Sequence, residues 1–559
     1  MNDELAKIFY EIAVYFEMDD VPFKPQAYEK AAVVLETLSQ DVEEIYKKEG
    51  IGGLEKLPGI GKNIAEKIIE YVTTGKIGEY QRLKKKVPVN LGELMPVEGL
   101  GPKKVKILYQ KLKIKNLKDL EKAVKLHKIA PLFGFGKKTE KNILEGIEFL
   151  KRSKGRFLLG EILPSVRVIY EKLKNLKEVK KISLAGSLRR MKETIGDVDF
   201  LVVSPQPERV MDFFVSLPGV VKIWGKGATK SSVRMKEGYD MDIRVVPEKS
   251  YGSALQYFTG SKEHNIATRK IAIEKGFKLN EYGIKTEEEV YKALGLPYIE
   301  PELRENQGEV EAALNNKLPK IIGYHDILGD LHCHSDWDGG SNSIEEIVEA
   351  ARKIGYEYVG IADHTKFLRI EHGLDEKQLL ERNKEIDRIN NKFKILKGCE
   401  ANILGDGSID IKDEVLAQMD FVIAGVHSQM KMSRGEMTER IIKAMKNPNV
   451  DIIAHPTGRL INRRDEYLID FEKILKIAKE TGTILEINAS PYRLDLKDVY
   501  IKKTKEAGVK MVINTDAHNL EQMQLMEYGI SQARRGWAEK KDIINCWPLE
   551  KLFGFLKNS

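Results

Sequence analysis

Gly329-Asp330-Leu331-His332-Cys333-His334-Ser335-Asp336-Trp337-Asp338-Gly339-Gly340 opens the carboxy-terminal part of a 559-residue chain. Apolar and polar residues alternate here, so the segment reads as a strand from which His332 and His334 project on one side. Further donors follow in Ala-Asp363-His364, Gly-Cys399-Glu400, Val-His427-Ser, Ala-His455-Pro and Thr-Asp516-Ala-His518; Asp516 and His518 are expected to alternate on a strand in the same way. Short apolar strands read at 358–362, 421–424, 452–454, 483–487 and 510–513, with helical segments between them. The donors follow those strands, which is the pattern of a parallel, barrel-like α/β domain with its chemistry where the strands end. The chain has ten histidines, and six sit at these strand ends. A single histidine would say little; six with carboxylates suit Zn²⁺, Mn²⁺ or Fe²⁺, with room for several ions.

A second acidic set lies upstream. Asp197 and Asp199 are two apart on an expected strand, 197–203, so both carboxylates leave one face; Asp240 and Asp242 stand in the same relation on another, 241–246 extended by one residue. Converging carboxylates repel unless a divalent cation lies between them, and an all-oxygen set suits Mg²⁺ or Mn²⁺. Two such ions can activate an attacking oxygen and stabilise a leaving one. Gly186-Ser187 precedes the set, with Arg189 and Arg190 available for phosphate charge. Further strands at 181–185 and 231–235 and a helix at 208–216 give residues 156–318 an α+β character, and 297–319 reads as a connecting segment.

The first 155 residues read as short helices, for example over 5–16 and 27–38. Leu57-Pro-Gly59-Ile-Gly61-Lys62 recurs as Val97-Glu-Gly99-Leu-Gly101-Pro-Lys103-Lys104 and, more loosely, as Leu132-Phe-Gly134-Phe-Gly136-Lys137-Lys138. Each is a glycine turn opening onto a helix, where the backbone can approach a phosphate and free N–H groups face it. Charge supports that reading. Residues 82–154 hold 20 Lys and Arg against 7 Asp and Glu, whereas residues 1–81 hold 9 against 16. A concentrated basic stretch is the footprint of a polyanion.

Composition narrows the class further. The chain is 42% hydrophobic and 32% charged, ordinary for a soluble, cytoplasmic protein of several domains. No long apolar run or signal peptide is read, so no membrane is expected, and three scattered cysteines exclude a disulfide framework.

Gly186-Ser187, Arg190 and Gly196-Asp197-Val198-Asp199 resemble the signature of the nucleotidyltransferase superfamily, and Asp242-Ile-Arg244, Tyr257-Phe258-Thr259-Gly260-Ser261 and Lys278-Leu-Asn-Glu-Tyr282 resemble family X DNA polymerases. The resemblance implies that Asp197, Asp199 and Asp242 bind the catalytic Mg²⁺ or Mn²⁺. It implies that Gly186, Ser187, Arg190 and Gly196 hold the triphosphate, that Tyr257, Phe258 and Gly260 support the sugar, and that Asn265 and Arg269 meet the minor-groove side of the new pair. It places Lys24 and Tyr28 at a 5′ phosphate and Lys67 as a Schiff-base lysine for an abasic sugar. Gly59, Gly61, Lys62, Gly99, Gly101, Lys103, Lys104, Gly134, Gly136 and Lys137 are the expected backbone contacts to DNA. Two departures stand out: Asp240 replaces an Arg of better-known members, and Asn63 replaces a phosphate-binding Lys.

The order of the histidine motifs resembles the PHP (polymerase and histidinol phosphatase) domain, a distorted barrel that hydrolyses phosphoesters. The implied ligands are His332, His334, His364, Glu400, His427, His455, Asp516 and His518, holding two or three Mn²⁺ or Zn²⁺ ions. The usual first motif ends Ser-Asp-Gly; here Gly339 stands at the acid position, and Asp338, or less readily Asp336, is the expected substitute. Together the resemblances span nearly the whole chain and identify it as similar to bacterial and archaeal family X polymerases fused to PHP.

The expected architecture is a helical domain at 1–81, a fingers-like helical DNA-binding domain at 82–155, a palm at 156–248, a thumb at 249–318, a linker at 319–324 and a PHP domain at 325–559. The expected activity is repair synthesis from dNTPs across short gaps in primer–template DNA by a monomer, with 3′→5′ excision and 3′-end or abasic-site processing. The alternative is a PHP nuclease whose polymerase half only positions DNA.

Overall fold

The computed structural model describes residues 1–559 except 38–40, 58, 96, 98–99, 153–155, 390–392 and 557–559. The chain divides into two compact units, Met1–Lys154 and Gly155–Ser559.

The first unit is helical. Helix Lys62–Thr74 shows why: Ile64, Ala65, Ile68 and Tyr71 recur every three or four residues and are the buried positions. Helices Asn2–Met18 and Lys24–Thr37 pack into the same core through Leu5, Phe9, Ile12 and Leu35. The three glycine turns open onto helices Lys62–Thr74, Pro102–Leu112 and Lys137–Arg152, as expected, with Gly61 and Gly101 at the caps of the first two.

The second unit starts with a five-stranded sheet ordered Lys181–Leu184, Asp197–Val203, Asp240–Val245, Lys230–Met235, Val220–Lys226. Only Asp197–Val203 and Asp240–Val245 pair in parallel, and their register sets Asp197 opposite Asp240 and Asp199 opposite Asp242. Leu163, Val166, Phe200, Phe214 and Met241 fill the core beneath the sheet. Helices Tyr251–Thr259, Lys262–Glu274, Glu287–Ala293 and Glu309–Leu314 follow.

Residues 297–319 are not a mere connection. Arg304 is fully buried; it donates to the Ile299 carbonyl at 2.9 Å and pairs with Glu287 at 2.5 Å, while Glu309 accepts from His264. Glu287 also takes both guanidinium nitrogens of Arg189, at 2.9 and 2.7 Å, so Arg189 is committed to the thumb and is not available to phosphate. The expected linker at 319–324 is likewise held in place: Ile322 is buried and Ile321 bridges to Glu539.

Beyond it, a three-stranded and a five-stranded parallel sheet form a barrel, Gly329–Cys333 pairing with Tyr358–Ile361 and Lys394–Lys397, and Glu400–Asn402 leading through Ile423–Gly425, Ile452–Ile453 and Ile484–Asn488 to Met511–Asn514. Bridges Cys333–Ala517 and His364–Glu400 close the two seams. Such strands are buried on both sides, hence the Val- and Ile-rich runs that mark them in the sequence. Among the described residues no helix is long and apolar enough to cross a membrane.

Removing one partner of a buried ion pair leaves the other charge stranded. Glu287→Leu, which strands the fully buried Arg304, should therefore destabilise the Gly155–Ser559 unit by about 3–5 kcal/mol, read as a lowered denaturant midpoint for that unit's transition.

Candidate active sites and nucleic-acid interface

The palm strands deliver Asp197, Asp199 and Asp242 to the rim of a cleft of about 910 Å³ that is also lined by Gly186, Ser187, Arg190, Tyr257, Phe258, Gly260, Asn265 and Arg269. Asp197 and Asp199 line it directly; Asp242 is opposite Asp199 in the sheet, with Lys230 Nζ at 3.4 Å. Burial, followed by the neighbouring carboxylates of Asp197 and Asp242, pushes Asp199 up to about 7. A carboxylate disfavoured to that degree fits a site designed for a cation. Gly186 is required where it stands: its φ is +60°, and a Cβ there would lie 2.2 Å from Asp199 Oδ2. Asp240, opposite Asp197, is bound instead to Arg234 on the neighbouring strand at 2.5 and 2.8 Å. Asn265 donates to the Tyr257 carbonyl at 2.7 Å, and the Arg269 guanidinium lies 5.2 Å from the Tyr257 ring centre, so these three lining residues form one connected edge with Phe258 packed against Tyr257.

The barrel centre is built around Glu400, which is fully buried. His427 Nε2 and His455 Nε2 lie 3.1 and 3.0 Å from its Oε1; His364 Nδ1 and His332 Nε2 lie 2.7 and 3.4 Å from its Oε2. His334 Nε2 is 3.3 Å from Asp516 Oδ1, and His518 Nε2 is 3.4 Å from His364 Nε2. Four groups, His334-His364-His518, His332-His334-Glu400-Asp516, His364-Glu400-His427 and His334-Asp338-Asp363, each bring ligand atoms within 4.8 Å of one another. His332 Nε2, His334 Nε2, His364 Nδ1 and Glu400 Oε2 are buried with no hydrogen-bond partner. Buried polar atoms are otherwise nearly always satisfied, so the donor set and these four orphans fit divalent ions. Burial alone would lower the proton affinity of His332, but Glu486, Glu400 and Asp516 hold it well above the ordinary histidine value. Burial would likewise raise Glu400, yet His427, His364 and His332 keep it well below the carboxylate range.

Several expectations change in detail. Asp516 and His518 do not alternate on a strand: the strand ends at Asn514, and Asp516 takes a left-handed turn with φ +56°. Their convergence comes from that turn. Asp338 sits behind His334, its Oδ2 2.8 Å from Nδ1 and accepting the His364 N–H at 2.7 Å, so it orients an imidazole whose Nε2 faces the centre. A Cβ at Gly339 would lie 2.5 Å from Glu371 Oε2, so that side chain would have to move to admit an acid there. Asp336 is exposed. Asp363 is saturated by Ser335 and the buried Arg382.

Other residues matter that the motifs alone did not single out for a role. Glu486 Oε1 lies 2.7 Å from His332 Nδ1, and Asn402 Oδ1 2.7 Å from His427 Nδ1; such partners fix the tautomer of a ligating histidine. Glu486 stands in the apolar strand Ile484–Asn488, where a buried polar residue is itself the signal, and Asn402 ends the short buried strand that begins at Glu400.

In the helical unit, Gly59, Gly61, Lys62, Lys103, Gly134 and Lys137 are exposed and Lys104 and Gly136 half-buried, whereas Gly99 lies outside the described residues. Lys103 pairs with Asp20 at 2.5 Å. Glu79 accepts from Tyr28 at 2.7 Å and lies 3.5 Å from Lys24, and Lys67 pairs with Glu70 at 3.0 Å. Lys24, Tyr28 and Lys67 are thus each paired with an acid.

Comparison with known proteins places four segments. A helix-hairpin-helix domain matches residues 1–77, a SAM-like helix-hairpin-helix tandem 91–148, a DNA polymerase beta thumb 254–305 and a PHP domain 330–490. Over its full length the chain is 40% identical to the DNA polymerase/3′-5′ exonuclease PolX of Bacillus subtilis strain 168, covering 99% of that protein. A probable phosphatase of Thermoanaerobacter sp. strain X514 is 34% identical over 200 residues, 34% of this chain and 78% of the relative. A probable phosphatase of Acetivibrio thermocellus is 30% identical over 199 residues, again 34% and 78%.

Because the folded-state value of Asp199 is about 7 against an ordinary 3.8, its protonated form contributes stability that is complete below pH 3.8 and lost as pH rises through 7. Cation binding must displace that proton. Mn²⁺ affinity at the palm should rise about tenfold per pH unit up to roughly pH 7 and then level off; calorimetric titration of the wild type against Asp199→Asn isolates this component, which the variant should lack.

Proposed function

The chain belongs to the bacterial family X DNA polymerases that carry a PHP domain, and from that premise we propose that it fills short gaps in primer–template DNA from dNTPs and trims the 3′ end in the 3′→5′ direction. The observation that carries the reading is that two separate ligand sets coexist in one chain, an all-carboxylate set at the palm cleft and a histidine-rich set around Glu400. Asp197, Asp199 and Asp242 would hold Mg²⁺ or Mn²⁺; the eight donors His332, His334, His364, Glu400, His427, His455, Asp516 and His518 would hold two or three Mn²⁺ or Zn²⁺ ions. When bound, such cations neutralise phosphate charge and activate the attacking oxygen at either centre.

The protein's own groups then do the positioning. Gly186, Ser187 and Arg190 line the cleft that would take the triphosphate, and Gly196 precedes the Asp197 that shares it. Tyr257, Phe258 and Gly260 face the sugar, with Asn265 and Arg269 at the minor-groove edge of the new pair. At the barrel, Glu486, Asn402 and Asp338 orient the imidazoles so that their other nitrogens face the centre around Glu400 and Asp516. The exposed glycine turns and Lys62, Lys104 and Lys137 would grip the DNA backbone without reading sequence. The protein works as a monomer, and the same excision centre would clear damaged 3′ ends or cut at abasic sites. Lys67, 3.0 Å from Glu70, would be the lysine for any lyase step at an abasic sugar.

A 5′-labelled primer in a duplex with a single-nucleotide gap and Mn²⁺ should lengthen with the templated dNTP and shorten without it. Asp197→Ala should cut extension about a thousandfold and spare excision, and His332→Ala should do the reverse, each loss matching several kcal/mol of missing charge stabilisation. Shortening under both conditions by the wild type would leave a nuclease with a palm that only clamps DNA.

A further inference from the structure

Two residues lining the palm cleft come from the barrel: Asp498, which opens helix Asp498–Ala507, and Arg535, which ends helix Met526–Arg535. Arg535 is 5% exposed. Its Nη1 donates to the backbone oxygen of Arg190 at 2.9 Å and to Glu305 Oε1 at 3.1 Å; its Nη2 donates to Asp498 Oδ2 at 2.6 Å. The same Glu305 Oε1 accepts from Arg190 Nε at 2.9 Å, and Glu305 Oε2 accepts from Lys192 Nζ at 3.3 Å. One carboxylate therefore ties three cations together, two from the palm and one from the barrel. Lys192 and Arg190 both line the cleft, and Arg190 also donates to the Thr259 carbonyl next to Gly260.

We propose that the barrel domain forms one wall of the nucleotide cleft, and that Arg535 is a positioning residue for synthesis: through Glu305 and the Arg190 backbone it sets where Arg190 and Lys192 present their charge to the incoming triphosphate. The inference rests on the polymerase reading above. Counting side chains, three cations face two carboxylates, Glu305 and Asp498, so the cluster keeps surplus positive charge for an anion. Burial would raise Glu305, but Arg535, Arg190 and Lys192 hold it down at about 2, and the tie persists across the working pH range. A guanidinium suits this task because its planar fork reaches a carboxylate and a carbonyl from one nitrogen and a second carboxylate from the other, which an ammonium does not reproduce. Without Arg535, Glu305 would draw Arg190 and Lys192 closer and quench charge that now faces the cleft.

The test is steady-state gap filling by the full chain, with dNTP varied and 3′→5′ excision measured on the same preparation. For Arg535→Gln the KM for dNTP should rise about tenfold while kcat for extension and the excision rate stay within twofold; Arg535→Lys should fall between the variant and the wild type. Asp498→Asn, which loosens only the Nη2 anchor, should raise KM about threefold and serves if Arg535→Gln does not fold. An unchanged KM in the folded variants overturns the proposal, as does a parallel fall of extension and excision, which marks a purely structural residue. Wild-type protein that does not extend the primer at all refutes the polymerase reading before any variant is compared.

Discussion

Buried carboxylates, gathered where the chain supplies too little positive charge of its own, set the terms for both centres. Asp199 is mostly buried beside Asp197 and opposite Asp242, and only Gly186 allows the turn above it to pass. Glu400 is wholly buried, with four imidazole nitrogens within 3.4 Å and one oxygen that accepts no hydrogen bond. Ionised groups in such places are costly unless a counterion arrives. The surrounding structure serves to keep them there. Parallel pairing fixes Asp199 against Asp242, barrel closure brings His364 alongside Glu400, and Glu486 and Asn402 hold imidazoles in single orientations.

Much of this was legible because strand periodicity and ligand chemistry point the same way. The palm strand expected at 197–203 has those bounds, and the barrel strands expected at 358–362 and 452–454 are each one residue shorter in the structure. What escaped reading is long-range. Nothing local distinguishes Asp363, which Arg382 neutralises, from a ligand, or shows that Arg189 belongs to Glu287, 98 residues away. Strand Lys394–Lys397 was missed because its lysines mask a short apolar centre, Ile395 and Leu396, that only barrel closure buries. The turn carrying Asp516 reads as strand because period two is the simplest account of Asp-Ala-His; in the structure the strand ends at Asn514 and Asp516 takes φ +56° just before the bridge of Ala517 to Cys333.

The palm and thumb meet the barrel through charge as well as through packing. Arg167 binds Glu527 through two bonds of 2.7 Å, Arg534 reaches Glu302 at 2.7 Å, and Arg459 reaches Glu193 at 2.7 Å. Arg167–Glu527 is exposed and screened by solvent, and the buried Arg534–Glu302 pair adds little net stability because desolvation offsets much of the attraction. What they impose is geometry, because each is satisfied in one arrangement only. Apolar packing at the same seam, with Leu494, Ile461 and Tyr528 of the barrel in the palm's core, supplies the cohesion the ion pairs do not.

That division of labour bears on how the two centres coexist. Arg459 follows His455 by four residues, and its partner Glu193 lines the palm cleft; Arg535 reaches Glu305 in the same cleft. A backbone movement at His455 large enough to disturb a ligand would be transmitted to Glu193 through Arg459, whose other bond, to the Leu494 carbonyl, holds it to the seam. Packed seams resist such movement, so the arrangement favours two centres each kept rigid by the other over two centres that deform in turn. If occupancy of one centre does alter the other, the effect on binding must be equal in both directions.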